Sequence, residues 1–293
     1  MAERVLLTGA TGFVGRQVLA SLLARGVALH AVSRGAPPAA PGVTWHRADL
    51  LADGVALIRD VRPTLLVHAA WFVEHGRFWT APENAAWLEA SEALARSFVE
   101  MGGRRFVGVG SCAEYAETDA ADDQPWPETR RVAPATPYGQ AKAELAARLA
   151  RLPISVAWAR LFHLFGPGEH PDRLVPSVTR ALAAGREARI ASGRPVRDVA
   201  PTHFVGEALA ALALSEVTGP VNVASGEGRS IAEVARILAS AAGRPDLLRL
   251  GALPDRPGEV PCMVADITRL RREVGFTRPP AVERALRDIA DAT

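Results

Sequence analysis

The chemistry most easily read from this chain lies in Ser111 and in the run Tyr138-Gly139-Gln140-Ala141-Lys142. On a helix opening at Tyr138, Lys142 falls one turn later on the same face. A nearby ammonium favours the phenolate and lowers a phenol pKa that is normally about 10, so Tyr138 can exchange a proton with a carbonyl or alcohol near neutral pH. Ser111, at the end of a predicted strand, can hydrogen-bond the same oxygen. A tyrosine and a lysine four apart are common; what gives this pair weight is the set of elements that would carry it.

Arg4 to Thr8 reads as a buried parallel strand, followed by Gly9, Gly12 and Gly15 and then by apolar residues at helical period through Val14, Val18, Leu19, Leu22 and Leu23. Strand, glycine turn and helix together suit a dinucleotide, because glycine lets the backbone approach a pyrophosphate and the helix N-terminus offers it free N–H groups. The second strand, Val27 to Ser33, ends on Ser33 and Arg34 where a carboxylate would usually take the ribose hydroxyls of NAD. Arg34 can pair with a 2′-phosphate, so NADP(H) is expected in preference to NAD(H). A third strand, Val43 to Arg47, leads to Asp49, which either accepts from the adenine amino group or caps the next helix. The fourth, Leu65 to His68, is followed by Ala69 and Ala70, small enough for a cofactor to pass, and by an aromatic loop holding Trp71, Phe72, Phe78 and Trp79. His68 reads as structural. A long helix from Glu83 to Met101, a fifth strand delivering Ser111, a proline-rich excursion from Ala120 to Pro137, the helix from Tyr138 to Arg151 and a sixth strand from Ile154 complete an alternation. The economical fold is an α/β, Rossmann-type doubly wound parallel sheet.

Beyond Leu161 the rhythm loosens into short elements broken by Pro and Gly. These suggest a smaller irregular lobe of residues 166–194 and 225–293, against a dinucleotide-binding domain of residues 1–165 with a return segment at 195–224, and a ligand site between them. Arg173, Arg197 and Arg256 are candidate anchors for a phosphorylated substrate. Trp71, Cys112 and His163 are further candidates to line that site; for Cys112 the plain alternative is a small core residue. The 293 residues carry a formal net charge of only +2, with arginines scattered along the chain, which gives no reason to expect nucleic acid. Two cysteines make neither a disulfide framework nor a four-ligand zinc site, and His163 and His170 lack metal-ligand spacing, so no metal is expected. Met1 runs straight into a strand, and no apolar stretch approaches about 18 residues, so no membrane partner and a cytoplasmic location are expected.

Taken together, these motifs resemble the extended short-chain dehydrogenase/reductase superfamily, in its NAD-dependent epimerase/dehydratase group acting on nucleotide sugars. The resemblance runs from Val5 to Ile289. It rests first on Thr8-Gly9-Ala10-Thr11-Gly12-Phe13-Val14-Gly15 and Tyr138 to Lys142, and then on Asp49-Leu50, His68-Ala69-Ala70, Gly110-Ser111 with Tyr115, Phe165-Gly166-Pro167-Gly168, Arg197-Asp198, Asn222 to Gly226, Arg256 to Glu259 and Ala265-Asp266. It implies that Tyr138 is the general acid/base, that Lys142 holds the nicotinamide ribose and that Ser111 binds the reacting oxygen. It further implies that Gly9, Thr11, Gly12, Phe13, Val14 and Gly15 cradle the dinucleotide with Asp49 and Leu50 near the adenine. Arg256 with Arg197 would bind the sugar's diphosphate, and the chain would form a homodimer.

The departures from the family narrow the reaction. Sugar 4,6-dehydratases of this family place an acid or amide and then a glutamate directly after the Ser/Thr, where this chain has Cys112 and Ala113. Glu114 comes one position late, on the opposite side of a strand unless a bulge restores it. Enzymes that epimerise and then reduce a GDP-sugar place a cysteine where Ala113 stands. The remaining equipment suits an NAD(P)H-dependent reductase of a nucleotide-linked 4-keto-6-deoxysugar. The alternatives are a nucleotide-sugar 4-epimerase with tightly bound NAD and, in another class, a non-catalytic dinucleotide-binding scaffold or redox sensor.

Overall fold

The computed structural model describes residues 3–117 and 125–292; the Ala120 to Gln124 part of the expected excursion lies outside the described residues. The chain begins as the periodicity predicts, with β1 (Arg4–Thr8), α1 (Gly15–Leu23), β2 (Ala28–Ser33), β3 (Val43–Arg47), α2 (Leu50–Val61), β4 (Leu65–His68), α3 (Glu83–Glu100) and β5 (Arg105–Ser111). A 3₁₀ turn over Cys112–Glu114 follows, then α4 (Pro137–Leu149), β6 (Ser155–Leu161), β7 (His163–Phe165), α5 (Leu174–Ala183), β8 (Ala188–Arg189), β9 (Val196–Pro201), α6 (Thr202–Ala213) and β10 (Gly219–Val223). The last elements are β11 (Gly228–Ser230), α7 (Ile231–Ala241), a 3₁₀ turn at Pro245–Leu247, β12 (Leu248–Arg249), β13 (Cys262–Met263), α8 (Thr268–Arg272) and α9 (Val282–Asp291).

Seven strands form one parallel sheet in the order β10-β6-β5-β4-β1-β2-β3. Helices cover both faces, which is why the central strands are apolar without alternation, as in Leu65-Leu66-Val67 and Phe106-Val107. One face packs Leu7, Val18, Leu22, Val107, Phe204 and Leu209 beneath α1 and α6; the other packs Leu6, Ile58, Leu66, Phe98, Phe106 and Leu145 beneath α2, α3 and α4. Sheet order reverses between β1 and β4, so a crevice opens at their carboxyl ends, the usual ligand position in such sheets.

A smaller sheet is built around β9, which pairs with β7 and β13 in parallel and with β11 antiparallel. Its core of Phe165, Val178, Leu182, Leu238 and Leu286 is shared with α5, α7 and α9. The expected return segment divides: β9 belongs to the smaller sheet, whereas α6 packs on α1 and β10 joins the large sheet beside β6. The chain therefore crosses between the two assemblies at the ends of β6, β9 and β10. Those crossings bring His163, Arg197 and Asp198 toward the end of β5, where Ser111 sits.

Candidate active site

The turn after β1 is shaped by what glycine lacks. Gly9 adopts φ +68°, and a Cβ there would stand 2.7 Å from the backbone of Ala69 and Ala70 at the end of β4. At Gly15 a Cβ would stand 2.0 Å from the Gly9 carbonyl oxygen, so this glycine is what lets α1 begin directly against the turn. Gly12 closes the turn by donating its N–H to Gly9 O at 2.9 Å, and no side chain caps the N-terminus of α1. A cradle so tight, ending in uncapped N–H groups over the sheet's crevice, fits a dinucleotide pyrophosphate. Thr11, Phe13 and Val14 lie in the same turn.

At the far end of β2, Ser33 is buried and Arg34 exposed, and Arg47 from β3 donates its Nε–H to the Arg34 carbonyl at 3.3 Å. The β2–β3 register, Ser33 opposite Arg47, brings the Arg47 side chain to the Arg34 backbone, which sequence spacing did not reveal. Asp49 serves as the N-cap of α2, accepting from Leu51 N at 3.1 Å, with Leu50 buried behind it. His68 is structural, as expected: its ring bridges Thr8 Oγ1 at 2.8 Å and Ser91 Oγ at 2.9 Å, and burial holds it down to about 3, neutral at physiological pH.

Ser111 ends β5 and N-caps the 3₁₀ turn that follows. Glu114 is drawn back beneath that turn. Its fully buried carboxylate accepts from Ser111 N at 2.7 Å and from Trp158 Nε1 at 2.9 Å, and pairs with Arg160 Nε at 2.8 Å. The bulge that would return Glu114 to the reacting side of the strand is replaced by a capping box that commits the carboxylate to the frame. Cys112 is buried and its thiol pushed up to about 12 by burial, so it remains a neutral thiol.

Tyr138 opens α4 with Pro137 at the first helical position and Thr136 as N-cap, donating its own N–H to Trp79 O at 3.1 Å. Its ring meets Phe78 and Trp79 edge-on, with centroids 5.0 and 5.7 Å away. The phenol is not lowered by Lys142 as the spacing suggested: burial pushes it above its ordinary value, a hydrogen bond with Ser111 works the other way, and the Lys142 amine is turned to Val109 O. Only two tyrosines exist in the chain, and Tyr115 is spent, buried and donating to Asn222 Oδ1 at 2.6 Å. Lys142, one turn on, is buried, donates to Val109 O at 2.7 Å and lies 3.8 Å from the centre of the Trp71 ring. Desolvation lowers the amine to about 7, against the opposing pull of Glu114. Sequence reading passed over one signal here: Lys142 is the only lysine among 34 basic residues. Wherever else the chain needs a cation it uses arginine, but a guanidinium is planar and wide and has no neutral form at these pH values, whereas this position takes a compact amine on a flexible stem.

The remaining candidates gather in and around the smaller sheet. Arg197, buried on β9, donates to Glu259 Oε1 at 2.9 Å; Arg173 donates to Glu169 Oε1 at 3.1 Å. His163 on β7 is held to about 3 by burial and by these two arginines, and its Nε2 is buried without a protein partner. Arg256 stands exposed on the turn that carries Glu259. Asp198 is structural, accepting from Ser225, Gly226 and Ala265. Trp71 is buried, its indole N–H given to Asn84 and its face to Lys142. Among the described residues no cluster of three or more His, Cys, Asp or Glu could hold a metal, and no helix is long and apolar enough to cross a membrane.

A glycine cradle at the sheet's switch point, leading to a serine, a tyrosine and a lysine, defines a dinucleotide-dependent α/β enzyme. The sequence profile of the NAD dependent epimerase/dehydratase family matches residues 5–224, and the chain belongs to that family. It is similar to dTDP-4-dehydro-6-deoxy-D-allose reductase of Streptomyces bikiniensis, 30% identical over 94% of this chain and 92% of the relative. UDP-glucose 4-epimerase of Mycolicibacterium smegmatis is 27% identical over 93% of each chain. Among solved structures, MoeE5 in complex with UDP-glucuronic acid and NAD superposes with a TM-score of 0.80 at 27% identity, covering 97% of this chain and 96% of that one. The protein is thus a nicotinamide dinucleotide-dependent enzyme of the extended short-chain dehydrogenase type with a small-molecule substrate.

Proposed function

We propose that this enzyme is a reductase of a nucleotide-diphosphate-linked 4-keto-6-deoxysugar, using NADPH in preference to NADH. The observation that carries the reading is the fate of Glu114. A 4,6-dehydratase needs an acid and a base beside the Ser/Thr, but Glu114 is locked by Arg160, Trp158 and the Ser111 amide, Cys112 is a neutral thiol and Ala113 has no functional group. What remains suits addition of one hydride and one proton to a ketone.

A bound nicotinamide supplies the hydride. Ser111 Oγ hydrogen-bonds the carbonyl oxygen and polarises it. Tyr138 Oη gives that oxygen its proton; a phenol held above its ordinary value is in the protonated form at neutral pH, as a donor must be. Lys142 Nζ, now bonded to Val109 O, is the group that would hold the ribose, and in its protonated form it would stabilise the tyrosinate left behind. Arg197 and Arg256 take the diphosphate, while Arg34 and Arg47 favour the 2′-phosphate of NADPH.

The test is to follow reduced nicotinamide by absorbance with a dTDP-4-keto-6-deoxyhexose and each cofactor in turn. Oxidation with NADPH ahead of NADH is expected. No oxidation of either, with any candidate keto-sugar, removes the reading; NAD that stays bound through purification, together with interconversion of a UDP-hexose, assigns 4-epimerisation instead.

A further inference from the structure

A single buried amide side chain, Asn84 in the first turn of α3, is linked through its neighbours to both Lys142 and Tyr138. Its Oδ1 accepts from Trp71 Nε1 at 2.8 Å. Its Nδ2 donates to Phe78 O at 2.7 Å and to Ala81 O at 3.0 Å. Both ends of the amide are thus used, which fixes its orientation. Trp71, held this way, lays its ring 3.8 Å from Lys142 Nζ, and Trp87 backs it at 6.2 Å. The loop held by the Nδ2 contacts carries Phe78 and Trp79, whose rings meet the Tyr138 phenol and whose Trp79 carbonyl receives the Tyr138 N–H. Asn84 touches neither reacting side chain. We infer that Asn84 is a positioning residue, setting Lys142 through Trp71 and Tyr138 through the loop at Phe78–Ala81, so that the amine and the phenol are placed by one amide.

The physical case rests on geometry and desolvation together. A lysine stem has four rotatable bonds, and one contact to Val109 O does not fix all of them. The indole face supplies the second wall, by cation–π attraction and by excluding water. A freed indole would swing and admit water to an amine that burial now holds at about 7. Glu114 is the charge that acts on that amine, opposing the lowering, and His68, on which the amine acts in turn, stays neutral.

The inference rests on the reading that Lys142 and Tyr138 are the reacting pair, and the chain offers a direct way to test it. Because Lys142 is the sole lysine, protein labelled with [ε-¹³C]lysine gives one side-chain signal, whose pH titration reports this amine without substrate or cofactor. Asn84→Leu is expected to raise the titration midpoint by at least about one unit toward the free-amine value, and to lower kcat about 10- to 100-fold with KM changed less than about threefold. Trp71→Phe keeps an aromatic face but has no N–H, so it serves if Asn84→Leu folds poorly; it is expected to give a smaller shift in the same direction. Combined, the two substitutions should fall short of additivity, because they remove the same hydrogen bond. An unchanged midpoint in both single variants, with any activity loss matched by a lower folded fraction, overturns the inference, as does full additivity. If the wild type reduces no keto-sugar, the proposed reaction falls, while the lysine titration still decides the role of Asn84.

Discussion

Two arginine–glutamate pairs, one under each half of the site, are built alike and placed differently. Arg160–Glu114 lies beneath Ser111 at 2.8 Å with side chains 7% and 0% exposed; Arg197–Glu259 lies in the smaller assembly at 2.9 Å with side chains 8% and 33% exposed. The first carboxylate also accepts from Trp158 and from the Ser111 amide. The second sits on an exposed turn and faces water. A closed pair fixes geometry, because removing either partner strands a buried charge. A half-open pair can give up its carboxylate to another anion, since the acid can be rehydrated when the arginine changes partner. On the proposed mechanism the two halves divide the work: the region of Ser111 and Tyr138 would hold reacting atoms in place, and the smaller assembly would hold exchangeable charge.

On that division, substitutions around Ser111 and Tyr138 should act on kcat or stability, and those in the smaller assembly on the KM of the substrate. The largest effect belongs to Tyr138→Phe, which removes the one phenol not already committed to Asn222. A loss of about 100- to 10,000-fold in kcat is expected, with melting temperature and dinucleotide binding retained. Turnover equal to wild type would take the proton donor out of the mechanism and leave a dinucleotide-binding scaffold.

Glu114→Gln comes next and separates a structural acid from a catalytic one. Leaving Arg160 uncompensated in the interior should cost about 3–5 kcal/mol, a fall in melting temperature on the order of 10 °C for a chain of this size. The folded fraction should keep most of its kcat. Thermal melts beside initial rates decide it: abolished turnover with an unchanged melt would mean that Glu114 is a reacting group, and the case against dehydration would collapse.

How much of this was legible follows the same divide. The glycine turn, the Tyr138–Lys142 spacing and the six-fold alternation are local in sequence, and the structure places them as expected. Glu114 was visible as an acid one position out of register, but its partners, Trp158 and Arg160, lie more than 40 residues away, so its commitment was not. The smaller sheet was harder still. Strand β9 pairs His163 with Val199, Asp198 with Gly228 and Val196 with Cys262, joining segments of two to six residues too short to show a period. Arg47 and Asn84 escaped for a related reason: the first is brought to Arg34 by strand register, and the second acts through backbone carbonyls that no side-chain motif records.

On the smaller side, Arg197→Ala should raise KM for the nucleotide sugar about tenfold or more, the value of a charge-assisted hydrogen bond, with kcat little changed. Glu259→Gln should do the reverse, lowering KM by freeing the guanidinium from its present partner. Steady-state kinetics on both variants checks the sign. A kcat effect in either, with KM unmoved, would erase the distinction between a half that fixes and a half that exchanges.

The smallest effect is expected where charge is fully open to water. Neither Arg34 nor Arg47 has a carboxylate partner among the described residues, and both side chains are exposed at the ends of β2 and β3. With no acid to displace, a 2′-phosphate gains their full attraction, but solvent and salt screen it. Arg34→Ser should therefore reduce the NADPH-over-NADH preference by roughly three- to tenfold, and the double change with Arg47→Ser by more. The preference of the wild type should itself shrink as ionic strength rises, whereas the rate at saturating cofactor should not. Fluorescence titration of both cofactors at low and high salt reads this directly. A preference that ignores salt and survives loss of both arginines would place the discrimination elsewhere, in the buried Ser33 or the turn after β1, and would show that this edge of the sheet behaves like the closed pair rather than the open one.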